Sequence, residues 1–133
     1  MIFVDTSAFY AILDKDDRAH ASARQAWTAL LSADEPAPLV TSNYVLVESF
    51  ALTQARLGLD AVRTLQGAML PVVTVEWVQP EEHTAAVGAL LSADRRGLSL
   101  VDCTNFELMR RLRIRRAFAF DRHFAEQGFE LVA

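Results

Sequence analysis

Four things are scarce in this sequence: cysteine, lysine, glycine with proline, and long apolar runs. Cys103 is its one cysteine in 133 residues. That excludes an intrachain disulfide and a cysteine-caged zinc, and it fits a reducing compartment. Five glycines and four prolines, beside 52% apolar and 23% charged residues, exclude collagen-like, low-complexity and disordered chains. Every apolar stretch is broken by Asp, Glu, Arg or Gln well short of the roughly 18 residues that span a bilayer. The start, Met1-Ile2-Phe3-Val4-Asp5, lacks the basic region of a secretory signal, so a cytoplasmic location is expected. An excess of positive charge is also missing. Thirteen basic residues face seventeen acidic ones, a net charge of −4, which argues against coating nucleic acid electrostatically.

What is present reads as one α/β domain over residues 1–133, a length that buries roughly two-thirds of the unfolded surface. Ile2–Val4 is apolar at every position, the pattern of a strand covered on both faces. Helices are predicted over 6–13 and 21–32. A strand is predicted over 39–41, with Ser42 capping a helix over 43–57 that Gly58 ends. Asp60 is expected to cap a helix reaching Met69, where Pro71 intervenes, and 72–78 reads as a strand. Pro80-Glu81-Glu82 opens a helix to about Arg96, and Ser99 caps one to about Leu112. Ala117–Phe120 and Phe129–Val132 are the remaining predicted strands. Strands alternating with helices imply a mostly parallel central sheet of about five strands flanked by helices.

Most acids lie in loops, caps or polar faces, where a solvated charge needs no explanation. Four do not. Asp5 follows the buried strand Ile2–Val4, and Asp121 follows the predicted strand Ala117–Phe120. Glu48 interrupts the nearly all-apolar Val45–Leu52, and Asp102 interrupts Leu98–Cys103. Carboxylates among apolar neighbours are costly unless paired or metal-bound. Asp102 also has a bland reading, because an acid is favoured in the first turn of any helix. If the four converge, they raise one another's pKa, and a hard divalent cation resolves the conflict. Mg2+ or Mn2+ suits an all-carboxylate set, which points to phosphodiester hydrolysis.

At these residues the chain resembles the PIN-domain ribonucleases. Asp5-Thr6-Ser7 after an apolar strand is similar to the family's opening D-x-[S/T] motif. Thr41-Ser42-Asn43 with Glu48 resembles its second acidic site, Ser99-Leu100-Val101-Asp102 its third, and Phe120-Asp121-Arg122-His123-Phe124 its last. The match covers essentially the whole chain and is best with VapC-like toxins of type II toxin–antitoxin pairs. Ala119 stands where many relatives carry Ser or Thr. The resemblance implies a PIN fold and a Mg2+-dependent endoribonuclease, with Mn2+ able to substitute. Asp5, Glu48, Asp102 and Asp121 are implied to hold one or two ions. Asp5 and Asp102 are the most direct ligands on this reading, Asp121 acts partly through water, and Ser7 orients Asp5 or a metal-bound water. It further implies an RNA substrate, a homodimer, and a small cognate antitoxin whose C-terminal segment covers the acidic groove. The spare apolar surface of Tyr44, Val47, Phe50, Ala51 and Leu57 is consistent with such partners.

Arg110, Arg111, Arg113, Arg115 and Arg116 crowd seven consecutive positions. They read either as a solvated helix end or as phosphate-binding groups beside the acids. Arg122 is a further candidate, as are Arg18, Arg95 and Arg96. His123 can be a proton donor, a stacking group or a packing group. Two other classes of function compete: a catalytically silent PIN-like module that binds RNA or protein, and a phospho-acceptor α/β domain. The latter needs a late lysine, whereas the only one is Lys15. Without the four singled-out acids, thirteen acids would face thirteen bases. The net negative charge therefore does not oppose an RNA substrate.

Overall fold

The computed structural model describes residues 1–133. Five short strands form one sheet: β1 (Ile2–Val4), β2 (Leu39–Ser42), β3 (Thr74–Glu76), β4 (Arg116–Phe118) and β5 (Glu130–Val132). Their order is β3-β2-β1-β4-β5, and every pairing is parallel. Seven helices pack around it: α1 (Thr6–Leu13), α2 (His20–Ser32), α3 (Asn43–Leu57), α4 (Leu59–Thr64), α5 (Pro80–Ala93), α6 (Leu100–Leu112) and α7 (His123–Glu126). None is long and apolar enough to cross a membrane.

The strand buried on both faces is the centre of the molecule. Ile2, Phe3 and Val4 are fully enclosed and pair with β2 on one side and β4 on the other. Phe9, Leu108, Met109, Phe118 and Phe124 complete the core from α1, α6, β4 and α7. From β1 the chain winds outward through β2 to β3, then returns to the other side of β1 for β4 and β5. The strand order therefore reverses between β1 and β4. At such a switch point the connections diverge and leave a crevice beyond the carboxyl ends of the strands.

Several predicted boundaries shift, each for a local reason. The helix after Gly58 keeps α-geometry only to Thr64, then widens into a π-helical turn at Leu65–Met69 and a 3-10 turn at Leu70–Val72. The wide turn buries both Leu65 and Met69 just before Pro71, which has no N–H to continue the ladder. The third strand shrinks to Thr74–Glu76 at the sheet edge. Helix α5 stops at Ala93, short of Arg96, because Asp94 takes the left-handed cap at φ 50°. Strand β4 ends at Phe118, not Phe120. Its last rung is the Asp5 N–H donating to Phe118 O at 3.0 Å, and beyond it the Phe120 N–H is drawn to Ser7 Oγ at 2.9 Å.

Candidate active site at the carboxyl edge of the sheet

Asp5 leaves β1 directly into the crevice and caps α1. Its Oδ2 accepts from the Ser7 N–H at 3.1 Å and from Ser7 Oγ at 2.6 Å. Ser7 Oγ in turn accepts from the Phe120 N–H. One hydroxyl therefore joins the first acid to the loop that presents the last. Asp5 is only 4% exposed, and its carboxyl is pushed up from 3.8 to about 6. Burial is the main cause; the Ser7 hydrogen bonds oppose it, and the charges of Asp102 and Glu48 add to it.

Asp102 stands in the first turn of α6. The Ser99 hydroxyl accepts from the Asp102 N–H at 3.0 Å, and Asp102 Oδ2 accepts from the Ser99 N–H at 3.0 Å. This reciprocal capping box realises the bland reading of Asp102. It also leaves the carboxyl half-buried and raised by that burial and by the Asp121 charge, against the lowering effect of Ser99. One side chain thus closes its helix and joins the acidic group.

Asp121 lies in the β4–α7 loop, and its Oδ1 accepts from the His123 N–H at 2.9 Å. Asp102, Asp121 and His123 each offer a ligand atom within 4.8 Å of the others. His123 Nδ1 lies 2.7 Å from Asp121 Oδ1, yet it makes no aligned hydrogen bond there.

Glu48 comes from α3, whose start is fixed by the Ser42 hydroxyl accepting from the Val45 N–H at 3.1 Å. Buried hydroxyls tie α3 to α1: Ser49 Oγ donates to Thr6 Oγ1 at 3.2 Å, and Thr6 Oγ1 donates to Val45 O at 3.5 Å. Glu48, half-buried, borders a surface cavity of about 320 Å³ with Tyr44, Val47 and Val101. Its charge reaches Asp5, but Glu48 and Asp5 lie outside the compact set of Asp102, Asp121 and His123.

The PIN domain description matches residues 2–130. The chain belongs to the PIN-domain family. It is 38% identical to the 23S rRNA-specific endonuclease VapC20 of Mycobacterium tuberculosis, over 97% of this chain and 95% of that one. The crystal structure of VapC20, described as a sarcin–ricin-loop-cleaving toxin, superposes with a TM-score of 0.85 at 35% identity, covering 97% of this chain and 96% of VapC20. FitAcB from Neisseria gonorrhoeae shares the fold at a TM-score of 0.69 and 11% identity, over 100% of this chain and 97% of that one. The PIN fold, the parallel five-stranded sheet and the resemblance to VapC toxins expected from the sequence are borne out.

The expected position of the arginine run is corrected. Arg110 and Arg111 occupy the last turn of α6, about 12 Å along the axis from Asp102 at ~1.5 Å per residue. Arg116 opens β4 at its amino end. The end of the run that enters β4 therefore faces the opposite edge of the sheet, because a parallel strand carries its entry and its exit at opposite poles. Three members of the run are engaged. Arg110 donates to Gln127 at 2.7 Å and Arg116 lies 4.0 Å from Glu130, whereas Arg111 turns to the end of β3, donating to Glu82 at 2.7 Å and lying 4.0 Å from Glu76. Arg113 and Arg115 make no ion pair in the structure, and Arg122 directly follows Asp121 in the sequence.

One residue of the site escaped the sequence reading. Asn105 is completely buried on α6, and its Nδ2 donates to Asp5 Oδ1 at 3.1 Å. The available signal was its spacing: three residues after Asp102 is one helical turn, hence the same face.

Proposed function

We propose that residues 1–133 form a single PIN domain acting as the toxin endoribonuclease of a VapC-type toxin–antitoxin pair. On this reading it hydrolyses RNA with Mg2+, for which Mn2+ substitutes. The observation that carries the proposal is the meeting of Asp102, Asp121 and His123 within 4.8 Å, beside buried Asp5, at the strand-order reversal of a chain 38% identical to a ribosomal RNA endonuclease. The donor set fits a hard cation: mostly carboxylate oxygen, no thiolate, and two carboxyls raised by burial and mutual charge.

Asp5, Glu48, Asp102 and Asp121 would hold the ion. When bound, Mg2+ supplies Lewis acidity at the scissile phosphate and a more acidic water. The chain does the rest. Ser7 holds the Asp5 carboxylate and the Phe120 amide in mutual register. Ser99 holds Asp102, and the His123 N–H holds Asp121. The N-termini of α1 and α6 turn their positive ends toward the same space, which favours an anionic phosphate. The identity with VapC20 makes the 23S rRNA sarcin–ricin loop the substrate to test first, and a ribosomal target accords with a cytoplasmic location. The homodimer and antitoxin implied by the resemblance find spare apolar surface on α3, where Val47 is 72% exposed.

Purified protein is expected to cut a 23S rRNA fragment carrying that loop in Mg2+ and to stop in EDTA. Asp5→Asn and Asp102→Asn should lower the rate by more than about 100-fold, since even partners one step removed from a metal are worth 10- to 100-fold. Equal inactivity of wild type and Asp5→Asn on varied RNAs in Mg2+ and Mn2+ would leave the silent binding module instead.

A further inference from the structure

We propose that Asn105 is a positioning residue that aims the Asp5 carboxylate at the cation, acting through Asp5 and not on RNA. The inference rests on the reading of Asp5 as a metal ligand.

Asn105 is 0% exposed and donates from Nδ2 to Asp5 Oδ1, while Ser7 donates twice to Oδ2. Each oxygen of Asp5 is thus gripped from a different helix, Oδ2 from α1 and Oδ1 from α6. A carboxylate held on both oxygens from two sides cannot swing, and the lone pairs that remain have fixed directions. The orientation of the amide follows from its neighbour: only its NH2 can face an ionised carboxylate, so the carbonyl must turn away.

That carbonyl has no partner. Asn105 Oδ1 is buried and makes no hydrogen bond. A buried acceptor without a protein partner destabilises the fold, and an apolar side chain of the same shape would remove it. Stability therefore does not account for an asparagine at this position. The one hydrogen bond its side chain makes, to Asp5, does. Because Asn105 follows Asp102 by one turn of α6, the helix that presents one acid also fixes another.

The test compares wild type, Asn105→Leu, Asn105→Ser and Asp5→Asn in three measurements: Mn2+ affinity of the RNA-free protein by calorimetry, thermal midpoint in EDTA, and kcat and KM on the loop RNA. For Asn105→Leu the Mn2+ Kd is expected to rise about tenfold. The thermal midpoint should be held or raised, and the loss should fall on kcat with KM for RNA unchanged. Asn105→Ser, which is smaller and still polar, covers the case in which the leucine variant fails to fold, and the same rise in Kd is expected of it. Ser7→Ala combined with either variant should cost less than the sum of the single losses, since both grip one carboxylate. An unchanged Mn2+ Kd in a folded Asn105 variant overturns the assignment, as does a fall in thermal midpoint with Kd preserved. If Asp5→Asn also leaves Mn2+ binding untouched, it is the metal-site reading that fails.

Discussion

On the proposed function, Asp5 is the residue at which stability and activity pull apart. Its carboxyl titrates near 6 in the folded chain against an ordinary value of 3.8. Between those values the folded protein holds a proton that the unfolded chain has released, so stability falls as pH rises from about 4 to about 6 and is flat above. The full rise corresponds to about 3 kcal/mol. Asp102 pushes in the same direction. In EDTA, wild type should therefore lose as much as about 3 kcal/mol relative to Asp5→Asn between pH 4 and pH 7. Urea melts of the two proteins at several pH values measure this difference directly. A constant gap across the range would mean that Asp5 is not held in a costly ionised state. Divalent metal should stabilise the wild type at neutral pH more than the asparagine variant, which keeps three of the four carboxylates but lacks the buried charge of Asp5.

At the scale of elements, most of what positions these residues is local, and local features were legible. Ser42 and Ser99 announce helix starts, Gly58 announces a stop at φ 91°, and the three apolar residues before Asp5 announce the central strand. The contacts that make the site are not local. Asn105 reaches Asp5 across 100 positions, and Ser7 reaches Phe120 across 113. No periodicity encodes a partner that far away, so the acids could be named while the contact of the amide with Asp5 and the early end of β4 could not. The end of α6 at Leu112 was legible, but the residue that makes its closing turn was not. Arg113 takes the left-handed cap at φ 56°, a place where glycine is at ease and arginine is strained. Its N–H and that of Ile114 bond back to Met109 O, so the turn is fixed by the ladder despite the residue. Arg113→Gly should raise stability by about 0.5–1 kcal/mol, read as a higher urea midpoint with an unchanged slope. A loss of stability would show that the arginine side chain contributes more than its backbone costs.

Across the whole molecule, the parallel sheet gives charge a direction. The four acids belong to its carboxyl edge and Arg116, at the end of the arginine run, to its amino edge, so the net charge of −4 averages over unlike regions. The arginines differ in what they are free to do. Arg111 faces Glu82, which is only 8% exposed, so removing that arginine strands a buried carboxylate and costs stability whatever RNA does. Arg122 is the reverse case. It follows Asp121, its side chain is 86% exposed, and its nearest acid, Glu126, is 3.8 Å away, a solvent-exposed pair of little worth. An arginine so placed is available to a phosphate at the proposed cleavage site. Each phosphate neutralised on a single strand adds about 0.7 to the slope of log affinity against log salt. Arg122→Ala should therefore weaken binding of a short single-stranded RNA and flatten that slope by about 0.7. The double variant Arg113→Ala/Arg115→Ala, at the other pole, should leave affinity and slope within about twofold on the same short RNA. Binding measured across a salt series separates the two cases. If the distal pair flattens the slope and Arg122 does not, RNA enters from the amino edge, and the path from the arginines to the acids must then cross the length of α6.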